Sequence, residues 1–376
     1  YHVHAGAESK IVFGGGYFQY HGKHFGEVIW SEYGFHIPQN YTYYHNAAEK
    51  NDGNVFIQWN WSRRKFSALS DMQFRFIDYN FLGFDSDLNN VQQNIAYQFI
   101  NPKINVSYRA SDMLQFYACI AYTSKEPNRD DFVYSSTATR PGPEHLTDFE
   151  LGGRWQFNGW NLIPNMYCML YRDQLILDGS INDVGAYTRV NVPESYRTGV
   201  ELSVSKVWEN TLNINGNFTL SRNLIRNFTE YIDNWDTGEQ EKLNYDKTII
   251  SFSPSIIGFA STEYNLMHAI FKDTKNSELL IRVDAKYVSR QYLDNSADLS
   301  RSLNQYLIND CYLTFKFPFR SGAVFSSSLA VTNFLNESYI SNGWVYKYFY
   351  NNEQLAINGY YPQAGRAFYF KSAVRL

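Results

Sequence analysis

Tyr196-Arg197-Thr198-Gly199-Val200-Glu201-Leu202-Ser203-Val204-Ser205-Lys206 alternates residue by residue. Tyr196, Thr198, Val200, Leu202 and Val204 share one face; Arg197, Gly199, Glu201, Ser203 and Ser205 share the other. After five residues the pattern repeats: Leu212, Ile214, Gly216, Phe218 and Leu220 lie against Asn213, Asn215, Asn217, Thr219 and Ser221. A period of two is that of a β-strand with one apolar and one wet face. Leu279, Ile281, Val283, Ala285 and Tyr287 repeat it against Arg282, Asp284 and Lys286, and Cys311, Leu313, Phe315, Phe317 and Phe319 against Asp310, Thr314 and Lys316. Many of these runs exceed the five or six residues usual in soluble sheets. Ten residues, tilted by about 40°, span roughly 25 Å of membrane normal.

The connections alternate as well. Residues 62–65, 109–112, 157–160, 208–211, 272–278 and 320–323 read as tight turns; 80–93, 124–143, 172–194, 228–249, 291–304 and 336–364 read as long polar loops. Short turns at one end of a sheet and long loops at the other describe an antiparallel transmembrane β-barrel, with the turns periplasmic and the loops extracellular. Fifteen strands are predicted, at about 10–21, 26–36, 53–62, 66–79, 94–108, 113–123, 145–157, 160–171, 195–207, 211–227, 250–271, 278–290, 305–319, 323–335 and 365–376. The first two are separated by a predicted turn at 22–25. Single-chain barrels carry an even number of strands, so an odd count predicts that further strands belong to the complete barrel and that the start of this chain lies on the outer side. The opening Tyr1-His2-Val3-His4 carries no export signal, so sequence before Tyr1 is expected.

Composition agrees. Among 376 residues, 19% are charged and 18% aromatic, with 31 Tyr and 28 Phe, which suits interfacial aromatic girdles better than one soluble core. Mean hydropathy is −0.42 and no apolar run is long enough for a membrane-spanning helix. A net charge of −4 offers nothing to nucleic acid. Cys119, Cys168 and Cys311 fit neither a disulfide framework nor a zinc pattern. Phosphate loops, nucleophile elbows and His-Glu-x-x-His motifs are missing, so no enzyme is predicted.

The chain resembles the barrel portion of TonB-dependent outer-membrane receptors. The stretches that carry the likeness are His24-Phe25-Gly26, Asp71-Met72-Gln73-Phe74-Arg75, Asn101-Pro102-Lys103, Glu126-Pro127-Asn128-Arg129 and Glu150-Leu151-Gly152. Further on come Tyr196–Leu202, Tyr292-Leu293-Asp294-Asn295 and Val331-Thr332-Asn333-Phe334-Leu335-Asn336. The last strand places Phe368, Phe370, Val374 and Leu376 on one face, like the terminal insertion signal of outer-membrane barrels, although that signal usually ends in an aromatic residue. The resemblance implies a barrel of about 22 strands around a plug, about seven strands and the plug lying outside residues 1–376. It also implies a Gram-negative outer-membrane location, an inner-membrane energy coupler of the TonB type as partner, and uptake of a scarce nutrient. An iron chelate is the foremost cargo, with oligosaccharide, cobalamin or haem as alternatives; a surface lipoprotein is a further candidate partner. A non-transporting binding module and, third, an outer-membrane hydrolase are the rival readings.

Candidate sites follow from residue type. Trp344, Tyr346 and Tyr348 in the loop 336–364 present rings that would stack on a sugar or an aromatic chelate, or else brace neighbouring loops. Glu126 and Arg129 sit in a charged, proline-stiffened collar where a strand leaves the membrane, suited to ligand contact or to a structural loop base. Asp85 and Asp87 offer alternate carboxylates to Ca²⁺, without the glycine and distal glutamate of an EF-hand; a plain polar loop is the simpler reading, and no cofactor is required. His21 and His24 have metal-like spacing inside the predicted turn and read as structural. Arg197 and Glu201 are predicted to face the lumen, and Asn333 to form an Asx-type turn at a strand end.

Overall fold

The computed structural model describes residues 1–376 except Ala5, Tyr33, Phe35, Ile37, 84–91, 134–139, 182–186, 209–210, 268–276 and Arg320. Its strands are β1 (His2–His4), β2 (Ser9–Val28), β3 (Tyr41–Arg63), β4 (Phe66–Gly83), β5 (Gln93–Arg109), β6 (Leu114–Lys125), β7 (Glu144–Phe157), β8 (Trp160–Ile181), β9 (Tyr187–Trp208) and β10 (Leu212–Asn234). They continue as β11 (Gln240–Ile249), β12 (Ile256–Asn265), β13 (Glu278–Val288), β14 (Gln291–Tyr292), β15 (Ser302–Leu303), β16 (Tyr306–Pro318), β17 (Val324–Thr332), β18 (Ile340–Tyr350), β19 (Glu353–Pro362) and β20 (Ala367–Arg375). A short helix, α1, covers Arg129–Val133. Among the described residues eighteen strands share a single sheet, while β14 and β15 pair with each other. By contact the chain divides into two units: Tyr1–Ser107 with Cys119–Asp148 and Tyr171–Leu175, and Tyr108–Ala118 with Phe149–Leu170 and Ile176–Leu376.

In the first unit β1, β2, β3 and β4 form successive antiparallel ladders. The predicted turn at 62–65 forms at Arg64 (φ 52°) and Lys65. Along β3 and β4 the two faces separate cleanly. Val55, Ile57 and Trp59, with Met72, Phe74 and Phe76, are exposed on the outward face. Their length of strand is the lipid band. Above the Gly53–Phe76 pair the outward face turns polar, with Asn51, Glu49, Asp78 and Asn80. The Phe76 ring lies over Gly53, where any side chain would collide with it. That pair marks the outer limit of the band, and both strands continue past it.

The second unit is built the same way. Ladders join β9 to β10, β12 to β13, β13 to β16, β16 to β17 and β17 to β20, all antiparallel. Asn158 (φ 46°) and Gly159 (φ 79°) make the turn between β7 and β8, two left-handed residues that match the strand twist. Val200, Leu202, Phe218, Leu220, Leu313, Phe317 and Leu329 stand exposed on the sheet's outward face. Lipid, not protein, is their partner, because unassociated soluble surfaces rarely carry so large an apolar expanse. The buried apolar clusters lie instead at the loop ends of the strands: Ala48, Ile77, Tyr79, Phe81, Phe99 and Phe132 in the first unit, and Ile176, Val192, Ile225, Phe228 and Ile250 in the second.

Three predictions are corrected. No turn forms at 22–25: β2 runs unbroken from Ser9 to Val28, so the first two predicted strands are one and the odd count disappears. Ser9 pairs with Trp61 beside the tight turn, so β2 starts at the turn end and not on the outer side. Several long loops are themselves ordered hairpins. β10 pairs with β12 over Leu212–Leu220 and then with β11 over Leu224–Asp233, carrying the sheet beyond the band. β18 and β19 form a further hairpin inside the predicted loop 336–364. Alternation hid these extensions because both of their faces meet water or other loops, so apolar and polar residues no longer segregate.

Candidate functional site

On the inward face of the first unit, just above the lipid band, four charged side chains interlock. Arg75 on β4 reaches Asp52 on β3 through Nε–Oδ1 at 3.0 Å and Nη2–Oδ2 at 2.6 Å. Its other edge grips Glu126, Nη1–Oε2 at 2.8 Å and Nη2–Oε1 at 2.9 Å. Lys50 Nζ adds a bond to Glu126 Oε1 at 2.7 Å. Planar guanidinium geometry allows this double fork; an ammonium would not. Burial works to raise the Glu126 carboxyl, but the hydrogen bonds from Lys50 and Arg75 outweigh it and hold it below the ordinary range. Two residues on, Asp131 Oδ2 accepts from Asn128 N at 2.7 Å. Arg129 Nη2 donates to Asn46 Oδ1 at 3.0 Å, and Phe132 inserts into the apolar cluster beside Phe81. The predicted collar is therefore a folded clasp across the inner face.

In the second unit the loop-end hairpins converge on Leu293-Asp294-Asn295, all essentially without solvent exposure. Asp294 Oδ1 accepts from Ser296 N and Oγ, while Oδ2 lies 2.9 Å from Arg301 Nε and 3.0 Å from Lys347 Nζ. Lys347 of β18 also bonds Glu230 of β10, and Tyr245 of β11 donates to the same carboxylate at 3.1 Å. Asn295 accepts from Ser251 N at 2.8 Å and donates to the Leu177 carbonyl at 2.9 Å. Four separate segments are tied to one buried tetrad. Gly179 (φ 96°) lets the β8 backbone approach the Leu293 carbonyl more closely than a side chain would permit.

Outside this buried hub lies a shelf of aromatic rings. Trp235, on the β10–β11 turn, stacks on Tyr348 at 4.2 Å between centroids and 18° between planes. Tyr346 stacks on Tyr348 at 5.7 Å, and Tyr350 meets Trp235 edge-on at 6.5 Å. Trp235 remains 56% exposed and Tyr350 46%. Short parallel pairing of Asp233 with Tyr348 and Asn234 with Phe349 fixes the two hairpins side by side.

Further along the inward face, Glu150, Asn165, Tyr167, Arg197, Glu201 and Asn223 line a cavity of about 340 Å³. Arg197 Nη1 donates to Ser253 Oγ at 2.9 Å, holding its guanidinium at the cavity wall. Asn333 (φ 49°) performs the predicted turn: its Oδ1 accepts from Glu337 N at 2.8 Å and its Nδ2 donates to the Glu337 carbonyl.

The predicted site residues fall in several places. Arg197 and Glu201 share the cavity, and Tyr346 and Tyr348 share the shelf; Trp344 lies instead across Gly359 on β19. Glu126 and Arg129 are held by protein partners in the clasp. His21 and His24 stand in mid-strand on opposite faces of β2, not in a turn. Asp85 and Asp87 lie outside the described residues. Sequence reasoning overlooked Trp235, Lys50, Asp52 and Arg75; a tryptophan between Asp233-Asn234 and Asp236 in a polar loop was the available signal for the first.

Residues 1–334 match the family model described as TonB dependent receptor-like, beta-barrel. The chain belongs to this TonB-dependent receptor barrel family. It is accordingly a Gram-negative outer-membrane protein, with its tight turns periplasmic. Solved structures of similar fold include the ferric-catecholate import receptor Fiu of E. coli K12, at 12% identity and a TM-score of 0.68, covering 97% of this chain and 52% of that one. The siderophore receptor PiuA of Acinetobacter baumannii matches at 13% identity and a TM-score of 0.69, over 99% and 54% of the respective chains. The copper transporter OprC matches at 11% identity and 0.62, over 98% and 54%. The TonB-dependent barrel described here thus spans about half the length of these relatives. No functionally curated protein shows significant sequence similarity to it.

Proposed function

We propose that this TonB-dependent barrel domain forms the wall and part of the outer mouth of an energy-coupled importer for an iron chelate of the siderophore type. The aromatic shelf of Trp235, Tyr346, Tyr348 and Tyr350 carries the reading. It lies at the loop end, keeps rings exposed, and is held rigid by the Lys347–Glu230–Asp294–Arg301 tetrad beneath it. Preorganised aromatic faces suit flat, electron-rich chelating groups. The polar inward wall around Arg197 and Glu201 offers hydrogen-bonding groups along the route below. Several structures of the same fold are iron or siderophore receptors, which supports the cargo class, although a copper transporter stands among them as well. The work is binding and gated passage, without covalent chemistry; the energy coupler would engage sequence beyond residues 1–376.

The test is uptake of ⁵⁵Fe chelates by cells expressing the whole receptor, with and without the inner-membrane coupler. Coupler-dependent uptake of a ferric chelate, lowered by Trp235→Ala, is expected. Uptake of an oligosaccharide in its place, or cargo binding that never leads to uptake, would sink the iron reading.

A further inference from the structure

Where β8 and β9 meet the periplasmic turns, Lys206 stands between two indoles. Its ammonium lies 4.2 Å from the Trp208 ring centroid and 4.9 Å from that of Trp160. The rings are 5.6 Å apart and nearly perpendicular, at 78°. Lys206 shares its face of β9 with Val200, Leu202 and Val204, and Val200 and Leu202 are exposed on the lipid side of the sheet. The register places it opposite Ile214 and Trp208 opposite Leu212, both on the apolar face of β10. Trp155 and Phe157, 4.4 Å apart, extend the same aromatic belt along β7.

A lysine on a lipid-facing stripe normally extends its stem toward water. Here the two indoles hold the ammonium in the plane of the belt through cation–π attraction. Among the described residues Lys206 makes no ion pair, and its recorded partners are the two indole rings. Membrane-interface tryptophans sit at headgroup depth, the level of lipid phosphates.

We propose that Trp160, Lys206 and Trp208 form a seat for the phosphate of an anionic phospholipid headgroup at the periplasmic surface of the membrane. The ammonium supplies charge and hydrogen bonds, the indoles fix its height, and Leu202 and Val204 with Ile214 offer an acyl chain their shared apolar face. The left-handed turn at Asn158-Gly159 brings the start of β8 beside the Lys206 stem.

The experiment is native mass spectrometry of the whole receptor in detergent, titrated with phosphatidylglycerol. Heat-modifiable mobility on gels verifies that each variant is folded. Lys206→Gln is expected to weaken phosphatidylglycerol binding about fivefold, the scale of one cation at a membrane surface. Lys206→Arg should retain it, and Trp160→Leu with Trp208→Leu should weaken it. Diacylglycerol with the same chains should not compete, and neither should inorganic phosphate. Unchanged binding by Lys206→Gln, or displacement of the lipid by inorganic phosphate alone, overturns the proposal.

Discussion

Arg75 shows how much one side chain organises. It binds Asp52 and Glu126 in two-pronged fashion and thereby anchors a segment 51 residues away in sequence. Arg75→Met is expected to leave two carboxylates facing each other with only Lys50 for compensation. A loss of about 2–3 kcal/mol is anticipated, read as a lower urea midpoint in vesicle-refolded protein. Arg75→Lys should recover only part, because a point charge cannot span both carboxylates. Glu126 adds a pH dependence. Its folded pKa lies below the ordinary 4.5, so its contribution is fully present above that value. It is lost as pH falls through the lower, folded value. Protease resistance of the segment around Asn128 should therefore persist at pH 5 and fail only in stronger acid; failure already at pH 6 would contradict the assignment. Trp235→Ala removes the stacking partner of Tyr348, about 0.5–1.5 kcal/mol beyond the lost area, and should lower cargo affinity while leaving the barrel's gel mobility unchanged.

At the scale of elements, the hairpins above the membrane depend on one another more than on the sheet. β18 and β19 are held through Lys347, whose carboxylate partners Glu230 and Asp294 lie on other segments. Lys347→Met should leave those carboxylates buried with Arg301 as their nearest cation. Removal of one partner from such a set costs about 3–5 kcal/mol. Hydrogen exchange is expected to accelerate in residues 340–362 and 228–249 together, since both hairpins lose the same anchor. Acceleration confined to one hairpin would show that they are independent. Local chemistry explains which elements were legible beforehand. Asn158-Gly159 announces a turn because left-handed backbone favours Asn and Gly, whereas Ser62-Arg63-Arg64-Lys65 announces one only as a short polar run between two alternating stretches. The hairpin of β10 and β11 was read as loop because its neighbours on either face, the Lys347 tetrad and the Trp235 shelf, come from distant sequence. Where a turn is predicted at 22–25, Gly22 and Gly26 instead let Tyr20 and Tyr43 pack across a continuous ladder.

For the molecule as a whole, the decisive property is that its two surfaces meet different solvents. Leu202→Arg or Phe218→Arg on the outward face should cost about 2–4 kcal/mol near the middle of the band, whereas Ser203→Arg on the inward face should be nearly neutral. Equal costs on both faces, measured by unfolding in lipid vesicles, would mean that the apolar face is covered by protein. The strand period, the length of the runs and the alternation of tight and long connections follow from the chain alone, since each arises from neighbours in sequence and from the thickness of a bilayer. Family resemblance could be read there too, through Tyr196–Leu202 and Tyr292–Asn295. The sites were another matter. Lys347 and Glu230 are 117 residues apart, Trp235 finds Tyr348 only because two hairpins run alongside, and Lys206 meets Trp160 only across a ladder. Such charges and rings carry no local period; they acquire meaning when the registers of separate strands place them at one height above or within the membrane.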